Sequence, residues 1–155
     1  MSCEQIKKYL TQYHLETRVH EFAESSATVE LAAAAVGCEP CRIAKTMSFL
    51  VDSQPVLIVL AGDTRVDNPK YKAHFHQKAV MLPCERVEEL TGFPVGGVCP
   101  FGSPKGAPVY LDESLRRFET VYPAGGSRNS AVEVSLAELE LASRAAGWVD
   151  VGKPA

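Results

Sequence analysis

Ile43-Ala44-Lys45-Thr46-Met47-Ser48-Phe49-Leu50-Val51, then Asp52-Ser53-Gln54-Pro55, then Val56-Leu57-Ile58-Val59-Leu60-Ala61 is the stretch that decides the fold. Two apolar runs of strand length flank a polar, proline-containing turn, the pattern of two consecutive strands. Residues 56–60 are apolar on both faces of a strand, as in a central strand covered on two sides. In the first run side chains alternate faces, so Ile43, Lys45, Met47, Phe49 and Val51 share one face. A lysine thus stands in the middle of an otherwise apolar row. Snorkelling or a one-residue bulge would make it structural; a cavity lined by its charge would make it functional, with a ligand oxygen or phosphate as counterpart.

Outward from this hairpin, helices and strands interleave. Ser2 and Gln5 form a capping box, and Ile6, Tyr9, Leu10 and Tyr13 recur at helical spacing. Val19 to Phe22 reads as a short strand. Thr28 or Ser26 caps a helix that runs through the alanines to Val36 and stops at Gly37. Helices are expected over Asn68 to Phe75 and Cys84 to Thr91, the latter opened by Pro83 and closed by Gly92. Arg117 to Tyr122 and Ser130 to Ser135 read as strands paired through the turn from Pro123 to Asn129. Ser135 with Glu138 caps a last helix carrying Leu136, Leu139 and Ala142, expected to end at Gly147. The sum is an α+β fold: one compact domain with a mixed, mostly antiparallel, barrel-like sheet flanked by helices.

The chain has 155 residues, 46% hydrophobic and 23% charged, which suits one globular domain with its own core. No apolar run reaches the roughly 20 residues of a membrane helix, so no membrane partner is expected. The first residues lack the basic-then-apolar order of a secretory signal. Five cysteines, an odd number, then read as reduced thiols, and the expected location is cytoplasmic. A net charge of −3 argues against a general nucleic-acid coat but leaves room for a local basic patch. No Gly-x-Gly-x-x-Gly or P-loop follows a strand, and no Gly-x-Ser-x-Gly elbow is present.

Three further features carry chemistry. The segment from Gly92 to Pro108 concentrates glycine and proline. It suits either a rigid surface connection or a loop whose amides surround a carbonyl or a developing oxyanion. Cys38-Glu39-Pro40-Cys41 has C-x-x-C spacing, but it follows a helix and leads into a strand, the reverse of the thioredoxin order. A zinc site would need two more ligands, and Cys84 and Cys99 stand alone; neither metal nor cofactor is expected. His74 and His76 sit in a basic stretch with Arg65, Lys70, Lys72 and Lys78, readable as a solvated helix face or as contacts to an RNA backbone.

Thr28-Val29-Glu30-Leu31-Ala32, Gly37 to Lys45-Thr46, Ala61-Gly62-Asp63, Gly96-Gly97-Val98-Cys99-Pro100-Phe101-Gly102 and Ala124-Gly125-Gly126-Ser127, in this order, resemble the YbaK/ProX family. These are freestanding relatives of the editing insertion domain of bacterial prolyl-tRNA synthetases. The resemblance covers nearly the whole chain, taken as one such domain over 1–155. It implies a hydrolase that removes wrongly attached amino acids from tRNA, with mischarged tRNA-Pro as the expected substrate. The partners implied are the 3′ acceptor end of aminoacyl-tRNA and prolyl-tRNA synthetase.

On the same resemblance Lys45 is the catalytic residue. Gly96, Gly97, Val98, Pro100, Phe101, Gly102, Thr46, Asp63 and Asn129 bind substrate; from the basic stretch, and not from the resemblance, Lys70, Lys72 and Lys78 are the expected tRNA contacts. Some cysteine-specific members carry an acidic residue after the Gly-Gly turn, where this chain reads Asn129-Ser130-Ala131. The mechanism that fits needs no covalent nucleophile, because an aminoacyl ester is already activated. Lys45 would hold oxygens of the terminal adenosine while loop amides steady the tetrahedral oxyanion. A binding module that grips tRNA or an acyl-nucleotide, and a thiol redox protein using Cys38 and Cys41, are the alternatives in other classes.

Overall fold

The computed structural model describes residues 3–155. The proposed cap at Ser2 lies outside them. The hairpin is the centre of the molecule. β2 (Ile43–Val51) and β3 (Gln54–Ala61) pair antiparallel from Val51↔Gln54 to Ala44↔Ala61. The turn is tighter than the sequence suggested, with only Asp52 and Ser53 outside the strands, at φ of 51° and 65°. Positive φ at both turn residues matches the right-handed twist of the strands they join.

The remaining elements, in chain order, are α1 (Cys3–Leu10), β1 (Val19–Glu21), α2 (Val29–Val36), β4 (Thr64–Val66), α3 (Asn68–Phe75) and α4 (Cys84–Thr91). Then come β5 (Val109–Asp112), β6 (Thr120–Pro123), β7 (Ser130–Val132), β8 (Val134–Ser135), α5 (Leu136–Ser143), β9 (Gly147–Val149) and β10 (Gly152–Pro154). The main sheet runs β8-β6-β2-β3-β5-β9, and β1-β7 and β4-β10 form two separate two-stranded sheets. Among the described residues four of the seven strand pairings are antiparallel and three parallel. The α+β class and the mixed, curled sheet are as expected.

β3 shows why the two-faced apolar run was informative. Leu57, Val59 and Ala61 enter one core with Ile6 and Leu10 of α1, Leu139 and Ala142 of α5, and Phe93 and Phe101. Val56, Ile58 and Leu60 enter a second core with Phe49, Tyr71 and Val151. A smaller cluster of Ala32, Ala33 and Ile43 seats α2 against the start of β2. Each large aliphatic side chain so buried contributes about 1.5–3 kcal/mol, which makes β3 the strand least able to move.

Several boundaries differ from the sequence reading. Thr28 is the cap of α2, its Oγ1 accepting from the Leu31 N–H at 3.1 Å, and Gly37 ends that helix at φ 83°. The last helix ends at Arg144, in the left-handed region at φ 52°, rather than at Gly147. Gly147 instead opens β9, a short strand that only its pairing with Tyr110 of β5 defines. Arg117 belongs to a 3-10 turn, Glu113–Arg117, so the following strand starts at Thr120. The expected strand from Ser130 to Ser135 divides, its first part pairing with β1 and its second with β6. The sequence reading contains no strand at β4, β5, β9 or β10, each three or four residues long.

Asp112 ties these short pieces together. It is 1% exposed; Oδ1 accepts from the N–H groups of Val151 (2.9 Å) and Gly152 (3.1 Å), and Oδ2 from Ser114 (2.9 Å). Removing a charged acceptor leaves buried donors without a partner, at about 1.5–3 kcal/mol for a charge-assisted bond. Asp112→Ala is expected to lower unfolding free energy by about 3 kcal/mol, read as a lower urea midpoint at unchanged m-value.

Candidate active site

The first strand of the hairpin is covered unevenly along its outer edge, and a cavity opens there. Its volume is about 140 Å3, and Ser26, Thr28, Lys45, Thr46, Gly96 and Val98 are among the residues on its walls. Pockets for drug-sized ligands usually measure about 300–1,000 Å3. This one has the scale of a small acyl group.

Lys45 is half-buried, its main chain pairs with Leu60, and among the described residues its ammonium has neither a hydrogen bond nor an ion pair. Burial pulls its ammonium below the usual lysine range, and the negative charges of Asp63 and Glu30 oppose that only in part. A lysine that loses water without gaining a partner costs stability. It is the arrangement expected where the counter-charge or oxygen comes from a ligand. Lys45 lines the cavity, and its register with Leu60 is regular, without a bulge. Thr46 shares the wall, and its Oγ1 is buried without a hydrogen-bond partner.

The Gly/Pro-rich loop is more than a surface connection, because Phe93, Cys99 and Phe101 are each fully buried in the main core. Burial pushes the Cys99 thiol up to about 12, which makes it inert. Anchored in this way, the loop presents Gly96 and Val98 to the cavity. Gly97 is buried between Pro94 and the 124–129 turn, its N–H donating to the Pro94 carbonyl at 2.9 Å. That amide is engaged within the loop. Its glycine answers to space: a Cβ would stand 2.9 Å from the Ser127 carbonyl carbon and 3.0 Å from its Cα.

The other residues singled out in the sequence lie elsewhere. Pro100 and Phe101 are buried, Phe101 in the main core. Gly102 packs on the Tyr9 ring and borders a separate cleft with Ser143 and Arg144. Asp63 is exposed and held by Arg117, with Nη1–Oδ2 at 3.0 Å, so that its carboxyl lies below the usual range. Asn129 joins the turn to β1, its Nδ2 donating to the Phe22 carbonyl at 2.9 Å while the Phe22 N–H donates to the Asn129 carbonyl at 2.7 Å. Lys70 donates to Asp150 (3.0 Å) and to the Gly152 carbonyl (2.9 Å). Lys72 and Lys78 are exposed beside Asn68 and Pro69 on α3, apart from the cavity walls.

The sequence reading missed Ser26, Ser130 and Arg128. Ser26 and Ser130 line the cavity. Arg128 ties its mouth: its Nε donates to the Val95 carbonyl at 2.8 Å, and its carbonyl accepts from the Ser26 N–H at 2.6 Å. Only the chain path brings residues 26, 95 and 128 together, so no local signal marks them. Cys38 and Cys41 sit where expected, between α2 and β2, and burial raises the Cys38 thiol, the opposite of a reactive cysteine. Among the described residues, no group of three or more His, Cys, Asp or Glu side chains is placed to hold a metal, and no helix is long and apolar enough to cross a membrane.

Residues 23–141 match the model of the aminoacyl-tRNA editing domain. The chain belongs to this family, whose proteins include aminoacyl-tRNA deacylases and the editing domains of synthetases. It is 49% identical to the uncharacterized protein YwhH of Bacillus subtilis (strain 168), over 99% of this chain and 98% of that one. It is 30% identical, over 83% of its length and 80% of the relative's, to a protein of Enterococcus faecalis (strain ATCC 700802 / V583) named "Putative Cys-tRNA(Pro)/Cys-tRNA(Cys) deacylase EbsC". Proline--tRNA ligase of Desulfovibrio desulfuricans (strain ATCC 27774 / DSM 6949 / MB) is 32% identical over 80% of this chain and 21% of the ligase. Among solved structures, one titled "Crystal structure of a putative trans-editing enzyme for prolyl tRNA synthetase" superposes with a TM-score of 0.87, at 29% identity and 99% coverage of both chains.

Two stability measurements test this site. Because the folded-state value for Lys45 lies below that of the unfolded chain, its contribution is unfavourable at neutral pH. The penalty fades as pH rises through the lowered value toward 10.5. Lys45→Met is therefore expected to melt above the parent at pH 7, with the difference shrinking at high pH. Gly97→Ala is expected to be destabilised by about 1–3 kcal/mol, as its methyl group drives the loop off the Ser127 backbone, with a lower denaturation midpoint as the readout.

Proposed function

We propose that the protein hydrolyses the ester joining a small, wrongly attached amino acid to the 3′ end of tRNA, acting in trans on mischarged tRNA-Pro. The observation that carries this reading is Lys45, a half-buried lysine without a partner on the wall of a cavity of about 140 Å3. The family supports deacylation. Likeness to synthetases for proline, and to a structure titled as a trans-editing enzyme for prolyl tRNA synthetase, supports tRNA-Pro and a working relation with that synthetase.

In this reading the acyl group enters between Thr28, Val98 and Thr46, and Lys45 meets oxygens of the terminal adenosine or of the ester. A charge fixed in a site of low dielectric stabilises a developing oxyanion far better than one in water. Water is the attacking group; the ester carries its own activation, so no nucleophilic side chain is required. Cavity size sets the upper limit on the acyl group, and each excess methylene costs about 1–3 kcal/mol. The acceptor stem rests on basic groups outside the cavity, with Lys72 and Lys78 available and Lys70 already paired with Asp150.

Single-turnover deacylation of tRNA-Pro charged with alanine, cysteine, serine or proline tests the reading. The parent is expected to clear one small amino acid and spare proline. Lys45→Met, folded by its melting curve, is expected to lose about 10²–10³-fold in rate. Parent-like cleavage by this variant would remove Lys45 from the chemistry. Tight tRNA binding with no cleavage by the parent would leave a binding module.

A further inference from the structure

Thr46 joins Lys45 on the cavity wall, and its main chain bears on what the cavity can hold. In an antiparallel ladder, residues alternate between those whose N–H and C=O bond the neighbouring strand and those whose groups point the other way. Leu50 donates its N–H to the Val80 carbonyl (2.8 Å), and the Leu82 N–H donates to the Ser48 carbonyl (3.1 Å). Ser48 and Leu50 therefore face away from β3, toward segment 80–82. Thr46, two residues before Ser48, faces the same way.

On that outer edge β6 pairs only with Ile43 and Ala44, and segment 80–82 reaches only residues 48–50. Thr46 falls in the gap. By that alternation neither its N–H nor its C=O turns toward β3; among the described residues neither makes a turn, loop or cap bond, β6 stops pairing at Ala44, and its Oγ1 is buried without a partner. A lined cavity with one donor and one acceptor of an unpaired strand residue is a site awaiting a matching group, since leaving such groups unpaired inside a protein costs as much as a lost hydrogen bond.

An aminoacyl ester presents that match. Its α-amino group and its carbonyl flank one carbon, as the N–H and C=O of a strand residue do. We propose that the aminoacyl group pairs with Thr46 as a one-residue antiparallel bridge, the Thr46 N–H donating to the acyl carbonyl and the Thr46 C=O accepting from the substrate's α-amino group. This rests on the deacylase reading and adds how the acyl group is held: the α-amino group, which a simple acyl group lacks, is what the Thr46 carbonyl recognises. An α-amino group titrates at about 7.7–8.0 and donates in either protonation state, so the nearby Lys45 charge does not prevent the contact. The bridge also places the carbonyl carbon at one fixed spot on the wall, one residue from Lys45.

The probes are 3′-amino-3′-deoxyadenosine carrying, through a stable amide, either an alanyl group or a propionyl group that lacks the amine. The ¹⁵N-labelled parent is expected to show the Thr46 amide moving downfield at saturation with the alanyl compound. The propionyl compound is expected to bind about tenfold more weakly, equal to about 1.4 kcal/mol. Thr46→Val, which removes Oγ1 and keeps the main chain, is expected to retain that ratio. An unmoved Thr46 amide, equal affinities for the two compounds, no binding of either, or loss of the ratio in Thr46→Val would each overturn the bridge. Binding of the analogues does not depend on turnover. Cleavage of mischarged tRNA with an unmoved Thr46 amide defeats the bridge alone, and a moved amide without cleavage defeats the deacylase reading alone.

Discussion

The pairing of β2 with β3 is the constraint from which the site follows. All of β2 from Ala44 to Val51 is held in register against a strand that is buried on both faces. Because β3 is locked between two cores, β2 cannot slip by a residue without moving Lys45 to the opposite face. The inner edge of β2 is therefore fully committed. Its outer edge is committed only at its ends, to β6 and to segment 80–82. The cavity is the interval between those two partners, so the site exists because the sheet is incomplete at one place.

The electrostatics of that interval are set by separation rather than by neutralisation. Asp63 is close enough to favour the charged form of Lys45, yet its oxygens are held by Arg117. Glu30, in the first turn of α2, acts on Lys45 in the same sense and is exposed. The carboxylates thus oppose in part the effect of burial and favour the charged form of the lysine, without closing it into an ion pair. Charge remains available for a ligand, and the cost of its burial remains in the folded state.

The loop from Gly92 to Pro108 illustrates how a glycine-rich segment can be held still. Phe93, Cys99 and Phe101 anchor it in the core, and Arg128 ties Val95 to the turn that precedes β7. Gly97 lets the loop approach the Ser127 backbone more closely than any side chain allows. The cavity wall is therefore preorganised by packing, and the glycines serve close approach at least as much as they offer amides.

How much of this was legible in the sequence depends on the range of the interaction. Strong local patterns determined the hairpin, the cap at Ser135 and the helices α2 to α4, because each rests on contacts within a few residues, while Thr28 and Ser26 both stood open as the cap of α2. Lys45 was legible too, since the two-residue repeat put a charge on an apolar row. Four short strands were not, because three or four residues acquire strand structure only from the partner beside them. For the same reason Gly147, which reads as a helix stop, became a strand start once Tyr110 lay alongside it.

The candidate site shows the same division. Motif spacing pointed to Lys45, Thr46, Gly96 and Val98, which the structure places on one cavity wall or another. It also pointed to Phe101, Asn129 and Lys70, whose side chains are engaged in the core, at a turn and in an ion pair. Adjacency in a motif does not say which way a side chain faces. The sequence by itself determined the class of fold, the strand with a misplaced charge and the family. Only the tertiary structure decided that the outer edge of that strand is bare at Thr46 and that Ser26, Val95 and Arg128 meet at the mouth. Those facts depend on where distant segments stop pairing, which no local pattern of residues encodes.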